Sequence, residues 1–251
     1  MCKKVVFEWS YTPKNFLEAD HKLDFNGIEI HLSNGQISVI IEEKTLINAP
    51  HFVTDVEQAI MNFLNGVSIQ SHSSFEISRK PTKYYNEDGS INKQVAIGGS
   101  TSYVMVGGQV DFKVLDKHGN VKRDSKKERI EVKKLWGLLT SNVDGDNQKL
   151  INSYLNAIED KKNELIHLYE IRDFVAKKLG GAKKAREILS VPKKDWDLLG
   201  DIANNRPIFE GRHRGKHAEQ LRKATREELN SARKITKKIL WNYLKHCNEN
   251  D

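Results

Sequence analysis

The stretch SKKERIEVKKLWGLLT, residues 125–140, decides the fold class, because the spacing of the apolar residues changes there. Ser125 followed three residues later by Glu128 is the pattern of a capping box at a helix start. The apolar residues after it recur at helical spacing: Ile130, Leu135, Leu138 and Leu139. The polar segment SNVDGDN, residues 141–147, is typical of a loop that closes the helix. The sequence therefore predicts a change of architecture, and a domain boundary, near residue 145.

Upstream of this stretch, the chain has the pattern of β-strands. One helix is predicted among them, because Thr54 and Glu57 form a second capping-box pattern before an apolar stripe. Hairpin turns are predicted at Ser33-Asn34-Gly35 and at His118-Gly119-Asn120. The strand-like runs are rich in β-branched and aromatic residues: VVFEW (5–9), GIEIHL (27–32), QISVIIEE (36–43), SSFEISR (73–79) and TSYVMVGGQVDFKVLD (101–116).

Downstream of residues 125–140, the apolar residues keep helical spacing to the end of the sequence. A long helix is predicted with its apolar stripe running from Leu150 to Leu179, closed by Gly180-Gly181. Shorter helices follow over residues 182–189 and from Ser190 through Ile202, and Thr225 with Glu228 marks the start of the last helix. The predicted fold class is α+β, with a β-rich N-terminal domain, residues 1–145, followed by an all-α helical bundle, residues 146–251.

The composition, 38% hydrophobic and 30% charged residues, is typical of a soluble globular protein. The sequence has no apolar run long enough to cross a bilayer and no apolar signal core near its start, so we expect a cytoplasmic protein without a membrane partner. Cys2 and Cys247 form neither a disulfide framework nor a zinc-binding pair. The histidines lack metal-ligand spacing. The sequence therefore indicates no metal site and no cofactor.

The positive charge is concentrated in the helical part. Residues 146–251 hold 23 basic and 16 acidic residues, whereas residues 1–145 hold 18 of each, which leaves the whole net charge of +7 in the second part. Such an excess favours a polyanionic partner such as RNA or DNA. Solvated lysine-rich helix faces would produce the same excess, so charge alone leaves both explanations open.

Within this part, the segment ANNRPIFEGRHRGKHAEQLRKATREE, residues 203–228, contains seven basic residues, four acidic residues and two histidines. It lies between two predicted helices, where binding sites often occur. Residues five apart on a continuous helix point in different directions, so Arg212 and His217 would not share a helix face. Pro207 and Gly215 permit a bend that brings the two side chains together.

The order Arg212, four residues, His217, or R(HRGK)H, resembles the R-x4-6-H motif of the HEPN superfamily. The preceding segments HLYEIRDFVAKKLGG (167–181) and WDLLGDIANN (196–205), with the long last helix, are similar to the helix order of bacterial HEPN proteins. The resemblance covers roughly residues 147–247. It implies a small all-helical domain, and many members are metal-independent endoribonucleases of phage defence or toxin systems whose motifs meet at a dimer interface.

The resemblance implies a division of roles that suits the residue types. His217 titrates near neutral pH and can move protons as a ribose 2′-OH attacks the neighbouring phosphate, and His213 is the alternative for this role. Arg212 stays charged and can hold phosphate oxygens as negative charge builds. The remaining cations of the segment are candidates for RNA binding: Arg206, Arg214, Lys216, Arg222 and Lys223. The expected partners are RNA and a second copy of the chain.

Two less specific explanations and one rival chemistry stay open. The bundle can be a HEPN-like module that binds RNA or protein without catalysis. Arg212 can also be structural, paired with Glu210 or Asp201. Asp111 with Glu131 and Lys133 has the D…ExK order of metal-dependent PD-(D/E)xK nucleases, although the predicted helix would turn Glu131 and Lys133 to different faces.

Overall fold

A computed structural model describes residues 2–49, 51–95, 113–115, 121–141, 145–214 and 220–250 of the chain. The chain divides into two compact units, residues 1–64 with 75–131 and residues 65–74 with 132–251. An N-terminal antiparallel β-sheet is followed by a helical region, which confirms the α+β class. Within these ranges, the structure contains no helix that combines the length and apolarity needed to cross a membrane.

The first unit is built on a seven-stranded antiparallel sheet. Its order is β2-β3-β4-β1-β6-β7, and β5 also pairs with β1. The seven strands are β1 (Cys2–Thr12), β2 (His21–Phe25), β3 (Ile28–Ser33), β4 (Gln36–Glu42), β5 (Glu76–Arg79), β6 (Thr82–Asn86) and β7 (Ile91–Val95). A separate antiparallel pair joins β8 (Lys113–Leu115) to β9 (Val121–Asp124). Two helices accompany them: α1 (Glu43–Asn48) and α2 (Phe52–Ser71).

Alternation of apolar residues in β1 creates the core of this unit. Val5, Phe7, Trp9 and Tyr11 are buried on one face, because successive side chains of a strand point to opposite sides. The start of α2 packs on the sheet, with the Phe52 ring 6.2 Å from the Phe7 ring. The predicted hairpin turn at Ser33-Asn34-Gly35 is confirmed, since both Asn34 and Gly35 have the positive φ that a tight two-residue turn requires.

The capping box predicted at Thr54 and Glu57 is wrong. Helix α2 begins at Phe52, so Thr54 lies inside its first turn. The Glu57 carboxylate instead accepts hydrogen bonds from Trp9 Nε1 at 3.3 Å and Arg79 Nη1 at 3.1 Å, which ties the helix to the sheet. The predicted turn at residues 118–120 and most of the run at residues 101–116 lie outside the described residues.

The helical region contains six α-helices in the described ranges. They are α3 (Ser125–Ser141), α4 (Gly145–Glu159), α5 (Glu164–Lys178), α6 (Ala182–Ile188), α7 (Lys193–Gly200) and α8 (Arg226–Asn250). A π-helical segment, Asp201–Asn205, continues directly from α7. The core of the second unit forms around α5, whose Leu165, Leu168, Ile171 and Val175 are fully buried and pack with apolar residues of α8.

The single long helix predicted from Leu150 to Leu179 is wrong, because the structure divides it into α4 and α5. Between them, Asn163 N donates to Asp160 O at 3.0 Å, and Asn163 Nδ2 donates to Asp160 Oδ2 at 2.6 Å. These local bonds compete with the helical ladder and end it. The predicted end at Gly180-Gly181 is confirmed, since both have positive φ and Gly181 N bonds Ala176 O at 2.7 Å.

Capping boxes were predicted at the starts of α8 and α3, and the structure shows different arrangements at the two. The capping box of α8 is confirmed, since Glu228 N donates to Thr225 Oγ1 at 3.2 Å and Thr225 N donates to Glu228 Oε2 at 2.8 Å. Helix α3 begins at Ser125, one residue earlier than a cap at Ser125 implies, and Asp124 Oδ1 accepts the hydrogen bond of Lys127 N at 3.1 Å.

Candidate functional site

The segment between the π-helical turn and α8, residues 206–225, carries the predicted site and is called the Arg/His loop below. Two stretches of this loop are held together by backbone hydrogen bonds. Arg222 N donates to Pro207 O and Phe209 N donates to Arg222 O, both at 2.9 Å. Ile208 lies between these bonds and is buried at 1% exposure. In the described part of the loop, the backbone is therefore fixed on both sides of Ile208, and the Ile208 side chain anchors it in the core.

Arg212 follows this anchored stretch and contacts α5. Its backbone N–H donates to Ala203 O at 2.8 Å, and its guanidinium Nη1 donates to Asp173 Oδ2 at 2.9 Å. The same guanidinium lies 4.7 Å from the centre of the Tyr169 ring. The Arg212 side chain is 37% exposed and that of Asp173 49%. A charged group with one exposed acidic partner and one aromatic support is therefore available at the surface.

Arg172 places a second guanidinium on the same aromatic ring. It lies 4.9 Å from the Tyr169 ring centre and 5.1 Å from that of Trp196. A Cβ atom at Gly200 would come within 2.5 Å of Arg172 Nη1, so a larger residue at position 200 would require the Arg172 guanidinium to move. The sequence interpretation missed Arg172. The available signal was a cation on the apolar stripe of the predicted helix, where a buried aromatic neighbour is expected. Arg212, Asp173, Tyr169 and Arg172 are called the Arg212 cluster.

The histidines of the motif are only partly covered by the structure. His213 is exposed and directly follows Arg212. Gly215, Lys216 and His217 lie outside the described residues. The predicted convergence of Arg212 and His217 stays a prediction. The open suggestion that Arg212 pairs with Glu210 or Asp201 is answered by its contact with Asp173. Glu210 accepts a bond from Ala224 N instead, at 3.1 Å.

Two of the predicted RNA-binding arginines contact one carboxylate inside the protein. Arg206 donates to Asp201 Oδ2 and to Glu228 Oε1, both at 2.7 Å. Arg222 forms a two-pronged pair with the Glu228 carboxylate, with both bonds at 2.7 Å. The hydrogen bond from Arg222, with those from Thr225 N and Arg206, outweighs burial and holds the pKa of Glu228 far below its usual range. Both arginines therefore brace the start of α8.

Arg214 and Lys223 have different surroundings. Arg214 donates to Gly211 O at 3.1 Å, to Lys162 O at 2.8 Å and to Asn163 Oδ1 at 2.5 Å, and so ties the Arg/His loop to the turn between α4 and α5. Lys223 is exposed. Among the predicted site residues that the structure describes, the exposed ones are thus Arg212, His213, Arg222 and Lys223, and Arg222 is engaged by Glu228.

A second charged cluster, not foreseen from the sequence, surrounds a buried carboxylate at the start of α5. The Glu164 side chain is 2% exposed and accepts two bonds from Arg233 of α8, at 2.5 and 2.8 Å. His72, just after α2, places Nε2 at 3.1 Å from Glu164 Oε1. Lys161 Nζ lies 3.2 Å from the same ring nitrogen. Glu164, Arg233, His72 and Lys161 are called the Glu164 cluster.

Opposing effects set the pKa values in the Glu164 cluster. Burial raises the pKa of Glu164, but hydrogen bonds from Arg233 and His72 outweigh it and lower the value to about 2. Burial lowers the pKa of His72, against the opposite effect of Glu164, and the charges of Arg233 and Lys161 lower it further. Glu164 is thus ionised and His72 neutral at pH 7. Because the buried Glu164 carboxylate is bonded to Arg233 of α8 and to His72 just after α2, the cluster is suited to holding elements together.

Two residues of the rival D…ExK pattern do not share a helix face. Glu131 and Lys133 both lie in α3, where two residues of separation turn side chains to nearly opposite faces. Asp111 lies outside the described residues.

No family model, curated protein or solved structure matches the chain. The chemistry of the site therefore rests on its own residues. A partly exposed guanidinium with a fixed backbone can bind an oxyanion, and the residue that follows it in the chain is an exposed histidine, a residue type that can transfer protons.

Proposed function

We propose that the helical unit is a metal-independent endoribonuclease of HEPN type, a second copy of which completes the active assembly. The supporting observation is Arg212. Its backbone is held by Ala203 and its guanidinium by Asp173 and Tyr169, yet the side chain stays 37% exposed, and the next residue, His213, is also exposed. A fixed cation costs little reorganisation when negative charge develops in a transition state.

The proposed reaction is a transesterification within RNA. The imidazole of His217, or of His213, takes the proton from a ribose 2′-OH as its oxygen attacks the adjacent phosphorus. The bond from phosphorus to the 5′ oxygen of the next nucleotide breaks, and that oxygen takes up a proton from the imidazolium or from water. Arg212 binds the non-bridging oxygens throughout. The products are a 2′,3′-cyclic phosphate and a 5′-hydroxyl, and the step consumes no metal ion or cofactor.

Asp173 sets the condition under which Arg212 can act. In the absence of RNA, Asp173 partly neutralises the Arg212 guanidinium. An RNA phosphate is also negatively charged and can replace Asp173, because the side chains of Arg212 and Asp173 both reach water. The Tyr169 ring stays in place behind the guanidinium and holds its orientation during the exchange. An RNA-cleaving activity of this kind suits phage defence or a toxin system.

A second function, a HEPN-like module that binds RNA or protein without cleaving, is favoured by a different observation. Arg206, Arg214 and Arg222 are engaged by Asp201, Glu228 and the turn between α4 and α5. Their charges therefore contribute less to an external surface than the sequence implies. Under this function Arg212 binds phosphate, and the histidines contribute no proton transfer.

The test is RNA cleavage by the full chain in the presence of EDTA. We expect single-stranded RNA to be cut to 2′,3′-cyclic ends, and RNA with a 2′-deoxy substitution to stay intact there. Arg212→Ala should lower the rate by roughly 100- to 1,000-fold. A loss of roughly 100- to 10,000-fold in His217→Ala or His213→Ala identifies which imidazole moves the proton.

Matched controls are Arg226→Ala, an exposed arginine in the first turn of α8, and His51→Ala, an exposed histidine before α2, both expected to cut normally. RNA bound but left intact by the wild-type protein supports the non-catalytic module instead. Cleavage that EDTA abolishes contradicts both functions and supports a metal nuclease.

A further inference from the structure

The Arg/His loop presents an aromatic ring to solvent. Of the Phe, Tyr and Trp residues in the described ranges, Phe209 alone is exposed, at 49%. The other aromatic side chains there are buried or partly buried, as expected for residues that gain about 1.5–3 kcal/mol each from burial. The exposed ring therefore belongs to the same loop as the proposed site.

The backbone that carries this ring is fixed. Phe209 N donates to Arg222 O at 2.9 Å, and a parallel bridge joins Ile208 to Arg222. Gly211 N donates to Ile208 O at 3.1 Å and closes the turn after the ring. Ile208 is fully buried, so the two neighbouring side chains point in opposite senses, one into the core and one into water. A rigid aromatic group loses little conformational entropy when it binds.

The chain around Phe209 is cationic. Arg212 and His213 follow within four residues, and both are exposed. Lys223, also exposed, follows the residue that is hydrogen-bonded to Phe209. A purely apolar partner would have to desolvate these charges without pairing them, which is costly. Single-stranded nucleic acid supplies a base to stack on the ring and phosphates to pair with the cations.

We propose that Phe209 is a stacking platform for an unpaired base, so that the substrate class of the site is single-stranded RNA and not a duplex. This inference rests on the proposed function for the identity of the ligand. It adds a base-recognition element to a motif that otherwise contacts only the phosphate and the ribose. A base in a duplex has both faces covered by its neighbours and cannot stack on the ring.

The experiment measures binding of a fluorescent 2′-O-methyl oligonucleotide, which lacks the attacking hydroxyl, as a single strand and as a duplex with its complement. Phe209→Ala and Phe209→Leu should weaken single-strand binding by about 5- to 150-fold, the equivalent of about 1–3 kcal/mol. Phe209→Leu keeps an apolar side chain and removes the π-face. Phe209→Trp should keep the affinity and show quenching of its added fluorescence by the stacked base. Ile188→Ala, another exposed apolar residue of the second unit, is the matched control.

The inference is overturned if Phe209→Leu binds the single strand as tightly as the wild type, or if Phe209→Ala weakens duplex binding equally. It is also overturned if Phe209→Ala changes only self-association in sedimentation, which would assign the ring to an interface between copies. Parallel cleavage assays separate the two proposals. Phe209-dependent binding of RNA that stays uncut supports the stacking platform and contradicts the ribonuclease. Cleavage that does not depend on Phe209 supports the ribonuclease and contradicts the platform.

Discussion

Helix α5 supplies the carboxylate for two arginines, and the two pairs differ in how far water reaches them. Glu164, at the start of α5, is 2% exposed and is bound by Arg233 through two hydrogen bonds and by His72 through a third. Asp173, two and a half turns later, is 49% exposed and receives one bond from Arg212. The first carboxylate is enclosed and accepts three bonds, although Arg233 itself is 26% exposed, while the second carboxylate is open and accepts one bond from Arg212.

The difference separates structural from ligand-binding charge. An enclosed pair cannot be broken without leaving a charge in a medium of low dielectric constant, so its partners are committed to the fold. An open pair contributes little to stability because water competes for both partners. Arg212 can therefore leave Asp173 for a phosphate, whereas Arg233 cannot leave Glu164. Four predictions follow the contrast from the largest expected effect to the smallest.

Replacing Arg233 should destabilise the helical unit strongly. Arg233→Met removes the partner and leaves the Glu164 carboxylate buried without compensation, which should lower the free energy of unfolding by about 3–5 kcal/mol. Urea unfolding followed by circular dichroism measures the change. The double variant Arg233→Met with Glu164→Met should recover most of the loss, because it removes both charges. A single variant as stable as the wild type would show that water reaches Glu164.

Acid should weaken the contacts of Glu164. Its pKa is lowered from an ordinary 4.5 to about 2, so the unfolded chain binds the proton first and stability is lost as pH falls from 4.5 towards 2. The lowered pKa of His72 adds a loss that begins below its ordinary value of 6.5. At neutral pH the Glu164 contribution is about 3 kcal/mol.

The readout is the difference in unfolding free energy between the wild type and Glu164→Gln at pH 7, 5 and 3. We expect a large difference at pH 7 that shrinks towards pH 3, because the carboxyl of the unfolded wild type takes up its proton first. A difference that stays constant over this range would show that folding does not lower the pKa of Glu164 and would assign the stabilisation to another cause.

Loss of the α8 cap should have an intermediate effect. Thr225→Ala removes the hydroxyl that accepts the Glu228 N–H bond and should lower the free energy of unfolding by about 1 kcal/mol. Thr225→Ser keeps the hydroxyl and is the matched control, expected to lie close to the wild type. Equal losses in both variants would point to the missing methyl group and not to the cap.

Replacing Asp173 should have the smallest effect on stability and the opposite effect on binding. Asp173→Asn removes the competitor for Arg212, so the unfolding free energy should change by less than about 1 kcal/mol while RNA affinity rises up to about fivefold. Asp146→Asn, another acid of the helical unit, is a control for the general loss of one negative charge. Weaker RNA binding in Asp173→Asn would show that Asp173 positions Arg212 during binding.

Local patterns predicted much of the fold. The apolar spacing separates the strand-rich and helical regions, and the capping box at Thr225 and Glu228 involves residues three apart, so the sequence contains both partners. The break between α4 and α5 was not predicted, because Ile158 and Leu165 continue the apolar stripe across it. Local bonds between Asp160 and Asn163 end the helix without disturbing that spacing.

The site was predictable only in part, because ion pairs join residues that are distant in the sequence. The motif indicates Arg212, but Asp173 is 39 residues away and one of many acids that could pair with it. Sequence spacing gave no indication that Glu228 engages two arginines or that His72 reaches Glu164. These contacts depend on how the helices pack. The pattern of apolar residues shows which helix faces are buried, but not which polar side chains meet.

The most direct test is to measure, for Arg212→Ala in the full chain, both the free energy of unfolding and the cleavage of single-stranded RNA in EDTA. If Arg212 binds the phosphate during cleavage, stability should fall by less than about 1 kcal/mol and the cleavage rate by roughly 100- to 1,000-fold. Unchanged cleavage, with a loss of stability as large as that of Arg233→Met, would contradict a role of Arg212 in phosphate binding and make it a structural residue.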